Sequence, residues 1–503
     1  MLFNSLQFIF GYLPATIILF YFFASFSKEY AIAFVALASI AFYAFWSPLF
    51  TLLLLFSIVI NYTGGVLLCK FQQSNLRKFI FTSFVVLDLG ILFYYKYIGF
   101  FFFNWNWIFG TTFSIQELIL PLGISFFTFT QLAFLVDVYK GEAKEYNFIH
   151  YVLFVTYFPH LIAGPILHHQ QMMPQFADKN ACRLDITNLT SGIVLFVIGL
   201  SKKVLLADSL GAIATPLFDS PVCAPEFFTA WKMSLSYSLQ LYFDFSGYSD
   251  MAVALALMMG ISLPINFNSP YKAKNIVDFW RRWHISLSQF LLHYLYIPLG
   301  GNRNGPIMRY RNLLITMVLG GLWHGASWNF AIWGGLHGLY LIINHLFRLL
   351  KFPSWMKNIK GMSYLSWLLT FLCVVIAWVF FRTQDFAKAM DILKGMFFFN
   401  GADILSESGR GLFSKTIIIY FLIATVMPNS MAILRKVRWL ITQPFPNIVL
   451  QTNGAYFGPF NQLVATPFFY TLCFHFLGFS IAALAGVSIL YINRITYFIY
   501  SQF

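Results

Sequence analysis

The sequence predicts an all-α, polytopic membrane helix bundle, on three observations. Only 10% of the 503 residues are charged while 59% are hydrophobic, and the mean hydropathy is +0.71; soluble domains carry about 25% charged residues. Apolar stretches recur along the whole chain, each near the roughly 20 residues a helix needs to cross a bilayer. The basic residues, which give a formal net charge of +14, gather in short loops between those stretches, the pattern of loops held on the cytoplasmic side. That placement makes the charge topological and excludes nucleic acid as its main partner. Aromatic residues make up 20% of the chain; Phe fills lipid-facing and interhelical space, and Tyr and Trp favour the interfaces.

The first apolar run, residues 6–25, lacks a basic leader, and no small-residue cleavage site follows it. It reads as a retained span. Further runs follow near residues 31–46, 48–69, 79–103, 115–137, 148–167, 188–206, 228–260, 312–346, 362–381, 414–432 and 466–492. Together they predict roughly 10–13 membrane segments. The loop at 69–78 holds Lys70, Arg77 and Lys78 and no acid, which marks it as cytoplasmic and puts the N-terminus outside if three spans precede it. Lys202-Lys203 and the cluster Arg435-Lys436-Val437-Arg438 are further cytoplasmic candidates. The stretch 400–408 carries Asp403 and Glu407 and no base, which suits an extracytoplasmic loop. With no composition shift, repeat or low-complexity segment, residues 1–503 read as one membrane domain, with a motif-rich core at about 115–345 and C-terminal helices at about 360–503.

Residues 271–312 stand apart. They hold Lys272, Lys274, Arg281, Arg282, Arg303, Arg309 and Arg311 against a single acid, Asp278. Apolar residues at 283, 287, 290, 291 and 295 have helical spacing. That pattern predicts an amphipathic helix lying at the membrane surface, and equally a basic vestibule for an anionic acyl carrier. Pro298 to Pro306 is turn chemistry that closes the helix. Glycines at 320, 321, 325, 334, 335 and 338 then allow close helix approach. They also allow a broken helix around His324, tolerated at membrane depth only where the backbone lines a cavity or is buried in protein.

Two histidines carry the candidate chemistry, His324 within Leu322-Trp323-His324-Gly325 and His284 within Trp283-His284-Ile285-Ser286. Imidazole titrates near neutrality and suits general acid–base work, and burying it in lipid is costly unless it is satisfied. Acyl transfer to a hydroxyl needs a base for the hydroxyl proton and donors for the oxyanion. His324 fits the base; Asn329, an indole N–H of Trp283 or Trp323, or glycine backbone N–H groups could donate, and Arg281 and Arg282 could meet an anionic donor. The motifs of serine hydrolases, His-Glu-x-x-His metalloproteases and P-loop enzymes are missing. His168-His169 cannot share one helix face and reads as loop. Asp244 and Asp250, in an apolar stretch, read equally as functional acids or as a hydrogen-bond network between helices. The five cysteines show no disulfide or metal spacing.

Several stretches together resemble the membrane-bound O-acyltransferase superfamily and, within it, the alginate O-acetylase group. They are Pro121–Phe129, Phe158–Pro165, Asp244–Asp250, Leu263–Tyr271, Asp278–Ser288 with Tyr296–Gly301, and Gly320–Phe330. The resemblance implies a helix bundle around a central tunnel, in the bacterial inner membrane. An acyl group from a cytoplasmic thioester, acetyl-CoA, would pass toward an extracytoplasmic polysaccharide, with periplasmic acetyltransferase proteins as partners and no bound cofactor or metal. His324 matches the family's essential histidine, and His284 its second polar tunnel position. Where family members commonly carry Arg followed by Asp or Asn, this chain has Leu292 and His293, so no role is carried over to that pair.

Peptidoglycan O-acetylation and teichoic acid D-alanylation stand as alternatives within the class. A transporter of lipid-linked sugars is the alternative outside it, although such folds show paired broken helices and only one glycine-broken region is visible here. A scaffold that only docks partner enzymes is a third reading.

Overall fold

Serine and asparagine side chains, rather than apolar composition, set where many helices begin. The computed structural model describes every residue except 1, 115, 117, 145–146, 179–181, 221–224, 351–360, 398–413, 443–466 and 493–503. The 400–408 loop and the first residue of the last apolar run therefore lie outside the described residues. Helix α1 (Leu13–Phe26) is followed by α2 (Lys28–Ala44), whose first turn is capped by Ser27 accepting from Tyr30 N. Ser47 caps α3 (Pro48–Lys70) in the same way, with proline at its start and Lys70 in its last turn, as helix-end chemistry favours. Helix α4 (Ser74–Leu92) runs through a π turn, Phe93–Tyr97, into α5 (Ile98–Phe109).

Next come α6 (Ile124–Lys140), α7 (Phe148–Thr156), the single turn α8 (Phe158–Leu161) and α9 (His169–Ala177). Helix α10 (Ile186–Ser201) continues through a second π turn, Lys202–Ala207, into α11 (Asp208–Asp219), and α12 (Phe227–Met258) returns antiparallel beside it. The short α13 (Ile276–Trp280) and α14 (Ile285–Leu291) precede the hairpin of α15 (Gly305–His324) and α16 (Trp328–Leu349). The C-terminal part holds α17 (Met362–Arg382), α18 (Phe386–Met396), α19 (Lys415–Thr425), α20 (Ser430–Thr442) and α21 (Pro467–Tyr491). Among the described residues all regular structure is helical.

Among those residues, five uninterrupted helical stretches are long and apolar enough to cross a bilayer alone, and the α19–α20 pair, bent by 65°, makes a sixth. The remaining apolar runs of the sequence take other forms. Residues 148–167 break at Tyr157, and residues 312–346 break after His324. The 32-residue α12 is long enough to span but buries Ser234, Ser236, Ser238, Asp244 and Asp250 among its neighbours. Broken and polar segments survive at membrane depth when protein, not lipid, surrounds them.

Two faces follow from the alternation of helices. On one, Lys28 donates to Ala177 O, Arg77 to Val138 O, Lys272 to Met427 O, Arg348 to Asn275 and Arg438 to Asn188. On the other, Asn104 accepts from Trp328 and Arg382 pairs with Asp219. The first is the basic face.

Lys202 and Lys203 correct the expectation of a cytoplasmic loop. They sit inside the bundle, in the π turn between α10 and α11. Lys203 Nζ lies 2.6 Å from Asp244 and 2.9 Å from Asp208, and Lys202 Nζ lies 2.7 Å from Asp250. Asp250 also accepts from Ser430 of α20. Facing glycines permit this crossing: a Cβ on Gly199 would come within 2.7 Å of Gly247 O, and one on Gly247 equally close to Gly199 O. Asp244 and Asp250 thereby resolve as members of an interhelical ion network.

Candidate active site

The segment carrying His284 enters from the basic face and returns to it. Asn275 caps α13 by accepting from Asp278 N. The chain then turns sharply at His284, which takes φ 42° and ψ 56°. A left-handed backbone is uncommon outside glycine, is held only when the surroundings over-determine it, and clusters at functional positions. Here the surroundings are specific. Asn266 O accepts from Ile285 N, and Asn266 Oδ1 accepts from both the N–H and the hydroxyl of Ser286. Ser286 Oγ in turn accepts from Ile166 N, on the α7–α9 connection. The predicted surface helix over 280–295 is therefore two pieces. Trp283, Leu287, Phe290 and Leu291 are buried in protein, because satisfying the backbone around His284 draws the segment inward.

His324 is reached along α15, which runs from the basic face across the bundle and ends at this residue. The α15–α16 hairpin is drawn tight by glycine. A Cβ on Gly321 would overlap Phe330 O, and one on Gly334 would overlap Met317 O. Gly325 to Ser327 make the break that the glycines allow. The His324 and His284 rings lie 6.5 Å apart, centroid to centroid, and both side chains are buried. His324 stands edge-on to Trp333 at 5.1 Å and to Phe381 at 5.2 Å, and His284 edge-on to Phe245 at 4.7 Å. A third imidazole, His337 of α16, is fully buried and contacts Trp333 at 4.9 Å and Trp280 at 5.2 Å. Both His337 ring nitrogens and the Trp280, Trp323 and Trp333 indole nitrogens have no hydrogen-bond partner among the described residues.

Beyond His324 lies a cavity of about 970 Å³, on the face opposite the basic one. Gly325, Ala326 and Ser327 form part of its wall, with Lys96, Asp208, Gln240 and Arg382. The arrangement thus offers buried imidazoles beside a polar chamber on one side and a basic surface on the other. That combination can move a proton at a reacting hydroxyl.

The residues expected from sequence fall into three places. His284, His324 and Trp323 come together: Trp323 lies 6.3 Å from His284 and stacks on Phe129 at 5.1 Å. Trp283 is a core residue between Phe279, Phe267 and Trp378. Asn329 donates its amide to Thr383 O at 2.7 Å, which ties the start of α16 to the end of α17. Arg281 is exposed, while Arg282 pairs with Asp278 at 2.8 Å and also donates to Asn268 O; both belong to the basic side. His168 and His169 diverge: His168 shares a hydrogen bond with Tyr294 OH, and His169 packs on Phe134 and Phe154.

Lys96, His337 and the cavity wall were not legible beforehand. For Lys96 a signal existed, a lone cation inside the run 79–103, since intramembrane charge flags function. For His337 it was the imidazole in Trp333-Gly334-Gly335-Leu336-His337. The cavity wall comes from seven separate parts of the chain and has no local signal.

Comparison with known proteins adds an independent line. A family model described as "MBOAT, membrane-bound O-acyltransferase family" matches residues 45–383. The chain is 43% identical to the peptidoglycan O-acetyltransferase of Helicobacter pylori, over 80% of this chain and 81% of that protein. It is 40% identical to the probable alginate O-acetylase AlgI of Pseudomonas aeruginosa, over 84% and 80%. A more distant relative, the teichoic acid D-alanyltransferase of Streptococcus thermophilus, is 29% identical over 49% of this chain and 60% of that protein.

Proposed function

The chain belongs to the membrane-bound O-acyltransferase family and is a multi-pass membrane acyltransferase, and from there we propose that it moves an acetyl group from a cytoplasmic thioester, acetyl-CoA, to hydroxyls of an extracytoplasmic polysaccharide. The carrying observation is the meeting of His284 and His324 at 6.5 Å, one on a short re-entrant segment and the other at the far end of α15. Positive charge favours the cytoplasmic side, so the basic face is where the anionic donor docks, near Arg281 and Arg282. The cavity beyond His324 then opens outward and receives the acceptor.

The chemistry is one balanced displacement. The acceptor hydroxyl oxygen attacks the thioester carbonyl, a C–O bond forms, and the C–S bond breaks. The hydroxyl proton passes to the His324 imidazole and from there to the departing thiolate. His284, on the donor side, orients the thioester, and the Trp323 indole N–H is the nearer candidate donor to the oxyanion. Asn329, engaged with Thr383, holds the hairpin in place. The bacterial inner membrane is the setting this reading requires; the hydroxyl that enters the cavity belongs to a periplasmic acetyltransferase partner, which carries the group onward to the polymer.

Two acceptors compete within the reading. An alginate-like exopolysaccharide is supported by the motifs and the 40% identical relative; peptidoglycan is supported by the 43% identical one. The test is the O-acetyl content of fractionated cell-surface polysaccharide in cells carrying wild type or His324→Ala at equal membrane abundance. Loss of ester in one fraction of the variant supports transfer through this imidazole and identifies the acceptor. Unchanged ester in every fraction overturns the reading.

A further inference from the structure

The last turn of α15 ends at His324 with its carbonyls exposed. A helix leaves its final four C=O groups without intrahelical partners, and a left-handed residue just past the end usually turns an N–H back onto them. Gly325 does not do this; it runs on extended, at φ −164° and ψ 151°. Two consecutive side chains from another part of the chain take over. Tyr97 OH donates to Leu322 O at 3.0 Å, and Lys96 Nζ donates to Trp323 O at 2.6 Å and His324 O at 3.2 Å. Three successive carbonyls of the histidine-bearing turn are therefore gripped from outside the helix.

Both residues end the π turn Phe93–Tyr97. Single π turns inside α-helices recur at functional sites. This one gives neighbouring residues 96 and 97 a common target. The ammonium also lies 5.8 Å from the Trp323 ring centroid, and its position at a helix C-terminus matches the negative end of the helix dipole.

Lys96 lines the cavity, so a direct role on substrate has to be weighed. An ammonium has three N–H donors. The third goes to Ser125 Oγ at 3.3 Å, so no donor is left over for an oxyanion or for an anionic acceptor. The geometry points to Lys96 and Tyr97 as positioning residues that hold the His324 turn against the cavity floor, with Lys96 the main one. This inference rests on the proposed role of His324.

The test uses inverted membrane vesicles containing the full chain, with radiolabelled acetyl-CoA as probe and base-labile acetate as product. Lys96→Met, close in length but uncharged, is expected to lower kcat up to about 100-fold, the scale of a small displacement of a catalytic group. The KM for acetyl-CoA and the melting temperature in detergent stay at wild type. Tyr97→Phe, which removes a single bond, gives a smaller fall in the same direction. Lys96→Cys treated with 2-bromoethylamine regains a side-chain ammonium and recovers rate, whereas iodoacetamide leaves it low; identically treated wild type controls for native cysteines. Wild-type kcat in Lys96→Met, or equal recovery with the neutral reagent, overturns the inference. If Lys96→Met does not fold, Tyr97→Phe and the alkylated Lys96→Cys decide it in the same way. His324→Ala, run alongside, separates the two readings: full activity there defeats the proposed function, while an inactive His324→Ala beside an unaffected Lys96→Met defeats only the clamp.

Discussion

Two polar regions sit inside this apolar bundle and are built on opposite principles. At the α10–α12 crossing, Lys202 and Lys203 meet Asp250 and Asp244 within 2.7 Å, and glycine faces glycine to bring the charges together. Around His284, His324 and His337 the neighbours are rings instead of counter-charges, and a cavity lies next door. Ionisable residues inside a membrane protein flag function, but the flag carries different weight in the two places. Charges that neutralise one another hold helices together. Imidazoles lodged among aromatic rings beside a chamber are placed where the proposed proton transfer needs them.

The contrast predicts that the imidazole region fails in chemistry and the charged crossing fails in folding. His324→Ala is the largest expected effect: loss of acetyl transfer by about 100- to 10,000-fold, the usual contribution of a general acid–base group, with an unchanged melting temperature in detergent. A variant that unfolds instead would move His324 into the same class as the lysine–aspartate pairs.

Asp244→Leu comes next, as a stability effect. Leaving Lys203 without its nearest counter-charge costs about 3–5 kcal/mol, read as lost folded protein in the membrane and a lower melting temperature. Lys203→Met combined with Asp244→Leu regains much of that loss, because the buried charge is gone and Asp208 remains at the cavity wall. A double variant no better than the single would mean that these charges do more than hold α10 to α12.

His337→Phe sharpens the comparison from the other side. The ring is fully buried with neither nitrogen hydrogen-bonded to a described residue, so an apolar ring of similar size is expected to leave stability unchanged or raise it by about 1 kcal/mol. A large destabilisation, measured by thermal denaturation, would show that the imidazole makes a needed bond. The smallest effect belongs to the basic face. Arg281→Ala with Arg282→Ala changes stability by under about 1 kcal/mol, as surface charges do. It raises the KM for acetyl-CoA, and the rise shrinks as salt screens the surface. A KM insensitive to both arginines would place the donor elsewhere.

The motifs that carried the chemistry lay in short stretches of sequence, and their local geometry could be anticipated where local rules governed it. The glycine break after His324 is of this kind. Local rules failed where the outcome depended on what packs alongside. The 280–295 stretch has the periodicity of a surface helix, yet Asn266 and Ser286 pull it inward and force His284 into a left-handed backbone. Lys202-Lys203 looks like a cytoplasmic loop, yet two aspartates some 40 residues later make burial possible. A window of sequence contains the charge but not its partner.

The sequence by itself determined the class of molecule and singled out its candidate residues. Hydropathy and charge spacing depend only on composition along the chain, and the histidine motifs are contiguous. The tertiary structure alone decided which imidazoles meet and what holds them. The 6.5 Å between His284 and His324, the grip of Lys96 and Tyr97 on a helix more than 200 residues away, and the chamber beyond Gly325 are all long-range. They arise because buried polar groups must find partners wherever the fold brings them, and that search is settled by packing, not by sequence neighbours.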